Sequence, residues 1–201
     1  MSRMIIKRLF DLYFSFYGLI ILAPVFAVVS FLIILDSRGG VFYRQVRIGK
    51  NGKKYWLYKF RTMESNSDKK GFLTIGSEDS RITKVGYYLR MYKIDELPQL
   101  INVLIGDMSL VGPRPEVEKY VKLYSEYQQE VLKIKPGITD MSSITYFNES
   151  HILSKSENPE SYYINILLPE KLKLNMQYLN NISLPTDLRL ILKTLTRIAG
   201  R

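Results

Sequence analysis

Between Leu12 and Leu35 the chain has 24 consecutive residues without a charge. About 20 apolar residues are enough to cross the hydrocarbon core of a bilayer. Lipid offers no partner to a bare backbone amide, so such a run must be helical. A cleaved secretory signal has a shorter apolar core and a small-residue cleavage site. This run is longer, rich in Phe and Tyr, and leads directly into a chain with folded character, so it reads as a retained anchor. Pro24 lies near its centre, and its missing N–H and its ring predict a kink at Ala23-Pro24. Arg3, Lys7 and Arg8 precede the run, and Arg38, Arg44, Arg47 and Lys50 follow it. Positive charge favours the cytoplasmic side, and here it flanks both ends. Half the run, about twelve residues, reaches roughly 18 Å, short of the far side of a core about 30 Å thick. Two readings stay open: a helix that enters, breaks at Pro24 and returns, or an ordinary span with a proline kink. Asp11, beside Arg8 at the apolar boundary, is placed to pair with a cation.

The 201-residue chain has a formal net charge of +10. That balance implies an anionic partner: nucleic acid, an anionic membrane surface or a phosphorylated substrate. No cysteine is present, which excludes disulfides and thiolate metal sites. The single histidine, His151, makes a His-based zinc centre or a Ser-His-Asp triad a poor fit. There is no GxxxxGK[ST] loop, no GxGxxG and no nucleic-acid-binding motif.

Beyond the anchor, Val41–Tyr43 and Tyr55–Tyr58 read as short strands, the second following the Asn51-Gly52 turn. Ser65 to Ser80 is polar and reads as a loop. Ile82–Tyr92 and Leu97–Leu104 read as helices, the latter ending at Gly106. Pro115–Lys133 reads as one long amphipathic helix with Val117, Tyr120, Val121 and Tyr124 on one face, closed by Pro136-Gly137. Tyr162–Leu179 reads as largely helical and broken at Pro169. After Pro185, Leu188, Ile191, Leu192, Leu195 and Ile198 recur at helical spacing beside Arg189, Lys193 and Arg197. Such a helix either lies in the headgroup layer or packs its apolar face on the core. The expected fold is α/β and mostly helical, with little sheet. It divides into a membrane helix over residues 1–36 and a globular domain over residues 37–201.

Three clusters carry candidate chemistry. Asp95-Glu96-Leu97-Pro98 reads either as a helix start capped by acids or as a carboxylate pair. Such a pair suits Mg²⁺, and an aspartate can attack phosphorus. Gly106 to Pro115 is an irregular loop in which Arg114 stands between Pro113 and Pro115. A guanidinium with few backbone conformations suits bidentate phosphate recognition, although a rigid surface loop would have the same sequence. Lys59, within Tyr58–Met63, and Arg90 place cations near the acids, where they would neutralise a diphosphate.

In their order and spacing, Lys7–Asp11, Ser15, Pro24, Lys59–Met63, Asp95–Leu100 with Asn102, Gly106–Ser109, Gly112–Pro115, Lys135–Thr139, Tyr178, Ser183 and Asp187 resemble the monotopic phosphoglycosyl transferases, the bacterial sugar transferase family. The resemblance implies a re-entrant helix broken at Pro24, on the cytoplasmic face of the bacterial inner membrane. It implies Mg²⁺ as cofactor, and a UDP-sugar, undecaprenyl phosphate and anionic membrane lipids as partners, with no nucleic acid. Asp95 would attack the sugar-linked phosphate, UMP would leave, and undecaprenyl phosphate would take the phospho-sugar from Asp95. Glu96 would help hold the metal, Arg114 would contact the nucleotide end, and Lys59 and Arg90 would stabilise phosphates. The chain departs from the family pattern at Ala23, where relatives often have serine. It departs again at Phe147, in place of an arginine, and at Asn175, in place of an aspartate. About sixteen extra residues follow Phe147, from roughly 153 to 168. The expectation is that residues 140–168 reshape sugar recognition. The sugar, the glycan pathway and any homo-oligomer are left open. The rival reading is a non-enzymatic membrane adaptor, which leaves the acid pair and Pro113-Arg114-Pro115 unexplained.

Overall fold

The computed structural model describes residues 2–64 and 79–200. The predicted polar loop therefore lies almost wholly outside the described residues. The rest is mostly helical with a little sheet, as the sequence predicts.

Helix α1, Ser2–Asp36, holds Pro24 inside a single helical element rather than between two. It is long and apolar enough to cross a membrane, and little of its apolar stretch is buried in the protein. Ile21, Phe31 and Leu35 point away from the body. Yet α1 is attached to the globular body near both ends. At the N-terminal end Lys7 donates to Asp187 and to the Val111 carbonyl, and Arg8 donates to the carbonyls of Val103 and Leu104. Asp11 accepts the Leu110 amide, and Lys7 is the cation whose charge acts on its carboxylate. At the C-terminal end Val29 and Ile33 pack on Phe60 and Leu89, and Asp36 accepts the Val85 amide.

Strands β1 (Phe42–Ile48) and β2 (Lys54–Phe60) form an antiparallel hairpin, each longer than its sequence pattern predicts. Asn51 and Gly52 take positive φ in the turn, as the Asn-Gly signal requires. The next elements are α2 (Lys84–Met91), a 3₁₀ turn at Ile94–Glu96, α3 (Gln99–Ile105) and β3 (Ser109–Val111). Gly106, at φ 102°, closes α3 as expected.

The predicted long helix over Pro115–Lys133 is not formed. Instead there are two single turns, α4 (Glu118–Val121) and α5 (Glu126–Gln129), and a 3₁₀ turn at Glu130–Lys133. The cause is local. Ser125 leaves helical geometry to cap α5, and Gln128 returns the bond to complete a capping box. Strand β4 (Gly137–Thr139) then pairs in parallel with β3, a pairing between segments too short to show in the sequence pattern.

Four further helices follow: α6 (Met141–Thr145), α7 (Glu149–Ser154), α8 (Pro159–Tyr162) and α9 (Leu168–Leu179). Between α8 and α9 the segment Tyr163–Leu167 is a π-helix. Pro169 does not break the helix as predicted. It falls in the first turn of α9, where a missing N–H costs little. Tyr120, Tyr124, Leu153, Tyr163, Leu168 and Leu172 form the largest buried cluster. Helix α10 (Leu184–Ala199) closes the chain. Leu190 is buried against Val111 and Tyr178, while Leu188, Leu192 and Leu195 remain exposed. One edge of this helix thus packs on the core and another is left uncovered.

Candidate active site

Lys93 adopts a left-handed conformation (φ 57°) and turns the chain sharply from α2 into the Ile94–Glu96 turn. That turn buries two adjacent carboxylates, Asp95 and Glu96. The helix-cap reading does not hold. Helix α3 starts after Pro98 with no side-chain cap, and neither acid serves its amides.

Glu96 is held by cations from two other elements. Lys59 of β2 donates to its Oε1 at 2.8 Å. Arg114 reaches Oε1 at 2.7 Å and Oε2 at 3.4 Å. Burial pushes the Glu96 carboxyl up, but Arg114 and Lys59 outweigh it and hold the group well below the usual carboxylate range. Burial also lowers the Lys59 ammonium from its usual value, against the pull of Glu96 and Asp95. Glu96 raises the Arg114 guanidinium further. Asp95 behaves oppositely: burial raises its carboxyl, Lys59 opposes this and Glu96 adds to it. Its Oδ1 is buried and has no hydrogen-bond partner among the described residues.

Residues distant in sequence hold these groups in place. Asn102 of α3 is fully buried and grips β2, its Oδ1 accepting the Tyr58 amide and its Nδ2 donating to the Trp56 carbonyl. This fixes the strand one residue before Lys59. Asp140 accepts the Arg114 amide at 2.9 Å, the Ser142 hydroxyl at 2.9 Å and the Ser143 amide. The Pro113 carbonyl accepts the Gly137 amide, and the Pro115 carbonyl accepts Arg47. Gly112 and Gly137 bring two backbones so close that a Cβ on Gly112 would overlap the Lys135 carbonyl oxygen and stand 3.0 Å from the Gly137 nitrogen.

A cavity of about 980 Å³ opens on this cluster. Lys59, Arg90, Lys93, Glu96 and Arg114 are among its lining residues, and Asp95, the neighbour of Glu96 in the turn, is not. Its apolar lining includes Phe10 and Phe14 of α1 and Leu188, Ile191 and Leu195 of α10. Its polar lining includes Glu116, Glu149, Ser150, His151, Tyr163 and Lys171.

The structure thus gathers Glu96, Lys59 and Arg114 into one contact group, with Arg90 on the same cavity wall, Asp95 adjoining and Pro113 and Pro115 flanking Arg114. Ala23 and Pro24 lie far along α1 and take no part. Phe147 has the charges of Lys93 and Arg197 at 5.5 Å and 5.7 Å from its ring centroid. Asn175 lines a small separate pocket. Asp140, Lys93 and Lys171 were not singled out by their sequence. Among the described residues no cluster of three or more His, Asp or Glu side chains is placed to hold a metal. The carboxylates available to a hard cation are Asp95, with its unpartnered oxygen, and Glu96. This fits an ion such as Mg²⁺, which takes one or two carboxylates and completes its shell with substrate oxygens and water.

The model of the bacterial sugar transferase family matches residues 2–201. The chain belongs to this family. The transferase is 38% identical over 195 residues to an uncharacterized sugar transferase, EpsL, of Bacillus subtilis, covering 97% of this chain and 88% of that one. It is 44% identical over 134 residues to a putative undecaprenyl-phosphate N-acetylgalactosaminyl 1-phosphate transferase of the same organism, covering 67% and 71%. It is 34% identical over 196 residues to the UDP-glucose:undecaprenyl-phosphate glucose-1-phosphate transferase of Klebsiella pneumoniae, covering 96% of the transferase but 40% of that longer protein.

Proposed function

We propose that this transferase moves a phospho-sugar from a UDP-sugar to undecaprenyl phosphate and so starts a membrane-linked glycan. The observation that carries the reading is the cavity itself. One cavity is lined by Glu96 and its cations, by apolar side chains suited to an isoprenoid and by polar side chains suited to a sugar nucleotide.

In the proposed chemistry, Asp95 attacks the sugar-linked phosphorus. A P–O bond forms, the bond to the bridging oxygen breaks, and UMP leaves with the electron pair. A phosphate oxygen of undecaprenyl phosphate then attacks the same phosphorus, breaking the aspartyl bond and restoring the carboxylate. The unpartnered Oδ1 of Asp95 supports its role, since no protein hydrogen bond must be broken to free it. Lys59, Arg90 and Arg114 would steady the charge that moves between phosphates, which is the main demand of phosphoryl transfer. Asp95 and Glu96 would hold Mg²⁺, which when bound neutralises diphosphate charge. One observation favours a second reading, in which Glu96 is the nucleophile: Glu96 lines the cavity and Asp95 does not.

We further place the protein at the cytoplasmic face of the inner membrane, with α1 re-entrant at Ala23-Pro24 and a body over residues 37–201. The support is that both ends of α1 bond to one body, the arrangement a helix that enters and leaves by the same face would have. Residues 140–168 would supply sugar recognition.

The test is UMP release from a panel of UDP-sugars with undecaprenyl phosphate, with and without Mg²⁺, for wild type, Asp95→Asn and Glu96→Gln. The expected result is metal-dependent release with at least one donor, abolished by Asp95→Asn. A labelled phospho-sugar retained on Glu96→Gln but not on Asp95→Asn would assign the nucleophile. Full activity of Asp95→Asn would eliminate the aspartyl step, and no release from any donor would eliminate the transferase reading.

A further inference from the structure

The cavity lining includes a buried lysine with a full set of partners. Lys171 of α9 is 3% exposed. Its Nζ stands 3.0 Å from Glu149 Oε2, 3.3 Å from the Tyr163 hydroxyl and 3.5 Å from Glu116 Oε1. An ammonium has three donors, so these contacts saturate it. Glu116 is equally occupied: its Oε1 takes Tyr163 and Lys171, and its Oε2 faces Arg47 at 3.6 Å. Glu149 is different. Lys171 takes only its Oε2, and the side chain is partly exposed where it lines the cavity. The network therefore fixes one carboxylate at the cavity wall and leaves its second oxygen without a protein donor among the described residues. Tyr163, which completes the network, opens the π-helical segment, a distortion often found at functional sites.

We propose that Glu149 is the specificity-determining contact for the sugar ring of the donor, and that it selects sugars offering hydroxyl or amide N–H donors over sugars that carry a carboxylate. This rests on the transferase reading above. A fixed carboxylate repels phosphate, so the part of a sugar nucleotide that meets Glu149 is an uncharged one. Ser150 and His151 follow Glu149 on the same wall and add polar groups suited to a ring rich in hydroxyls. The uncharged parts are the sugar and the nucleoside, uracil with its ribose, and UDP, which has the nucleoside without the sugar, separates them as a probe.

The experiment uses the full chain in nanodiscs with undecaprenyl phosphate. Transfer is measured from UDP-glucose, UDP-galactose, their N-acetylamino counterparts and UDP-glucuronate, and UDP is measured as a competitive inhibitor. Glu149→Gln loses the charge, whereas Glu149→Asp keeps an anion for Lys171 but draws it back from the cavity. The expected result is that UDP-glucuronate is the poorest wild-type donor. Both variants should raise KM for the accepted donor about tenfold or more, the scale of one charge-assisted hydrogen bond. Both should narrow the preference among donors and keep the wild-type affinity for UDP, which also shows that the site is folded. Donor preference unchanged in both variants would overturn the assignment, as would UDP-glucuronate being used as well as the neutral donors. An equal loss of UDP affinity would overturn it by moving Glu149 to the nucleotide or the fold. No transfer from any donor by wild type would overturn the transferase reading, and this assignment with it.

Discussion

Asp140→Asn is the sharpest probe of how the site is held. Asp140 is 1% exposed, and its two oxygens receive three donors. Oδ2 takes the Arg114 amide and the Ser142 hydroxyl, and Oδ1 takes the Ser143 amide. Asparagine keeps the shape but turns one acceptor into a donor. Whichever way its amide points, a buried backbone N–H, either of Arg114 or of Ser143, meets an NH₂ group. An unpaired buried N–H costs about 1–3 kcal/mol, and the charge assistance of the remaining bonds is lost as well. We expect a loss of about 2–4 kcal/mol in stability. For a chain of this size each kcal/mol lowers Tm by about 2–4 °C, so Tm should fall by about 4–16 °C. Circular dichroism melting in detergent reads that directly. Turnover should fall as well, because the Arg114 amide is the bond that seats the guanidinium on Glu96; a displacement near 1 Å costs about a hundredfold. A Tm within about 2 °C of wild type would refute the stability reasoning. A lower Tm with wild-type turnover per folded molecule would refute the link from Asp140 to Arg114.

Two other outcomes are expected. Gly112→Ala should lose about 3 kcal/mol or more through backbone overlap with Lys135, and its turnover should fall further than its stability because the loop carrying Arg114 must shift; a wild-type melt would show that the close approach is not required. The Glu116–Lys171 network should give a stability plateau with two edges. Burial raises the Glu116 carboxyl, but Lys171 and Arg47 outweigh it and leave the group below its ordinary 4.5; its contribution is present above that pH and lost as pH falls through the lowered value. Burial lowers Lys171, but Glu116 and Glu149 outweigh it and leave the group above its ordinary 10.5, so its contribution is present below that pH and lost as pH rises through the raised value. Melting across pH should show both edges, and Glu116→Gln should flatten the acid one.

Much of the site was legible because its chemistry is carried by short runs: Asp95-Glu96, Pro113-Arg114-Pro115 and Lys59. The residues that hold it were harder to read. Asp140 and Arg114 are 26 residues apart, and no periodicity links them. Lys171 looks like a solvated helix residue until Glu116 and Glu149 close around it. Local signals succeeded where a turn or a helix end decides the conformation, as at Asn51-Gly52 and Gly106. They failed over Pro115–Lys133, where apolar residues at helical spacing outweighed the Ser125–Gln128 capping box that ends the helix. Strands β3 and β4 are three residues each, too short for any alternation to show.

The attachment of α1 at both ends bears on how this protein is made and handled. Cutting away the apolar segment is a common route to a soluble catalytic fragment. Here the cut would leave Asp187 buried without its lysine and the Leu110 amide without an acceptor. Arg61 would also lose the carbonyl of Ile33 that it now binds, and Phe60 and Leu89 would lose the apolar surface of Val29 and Ile33 that covers them. The helix is therefore part of the folding unit, and the smallest piece expected to fold and be purified in working form includes it.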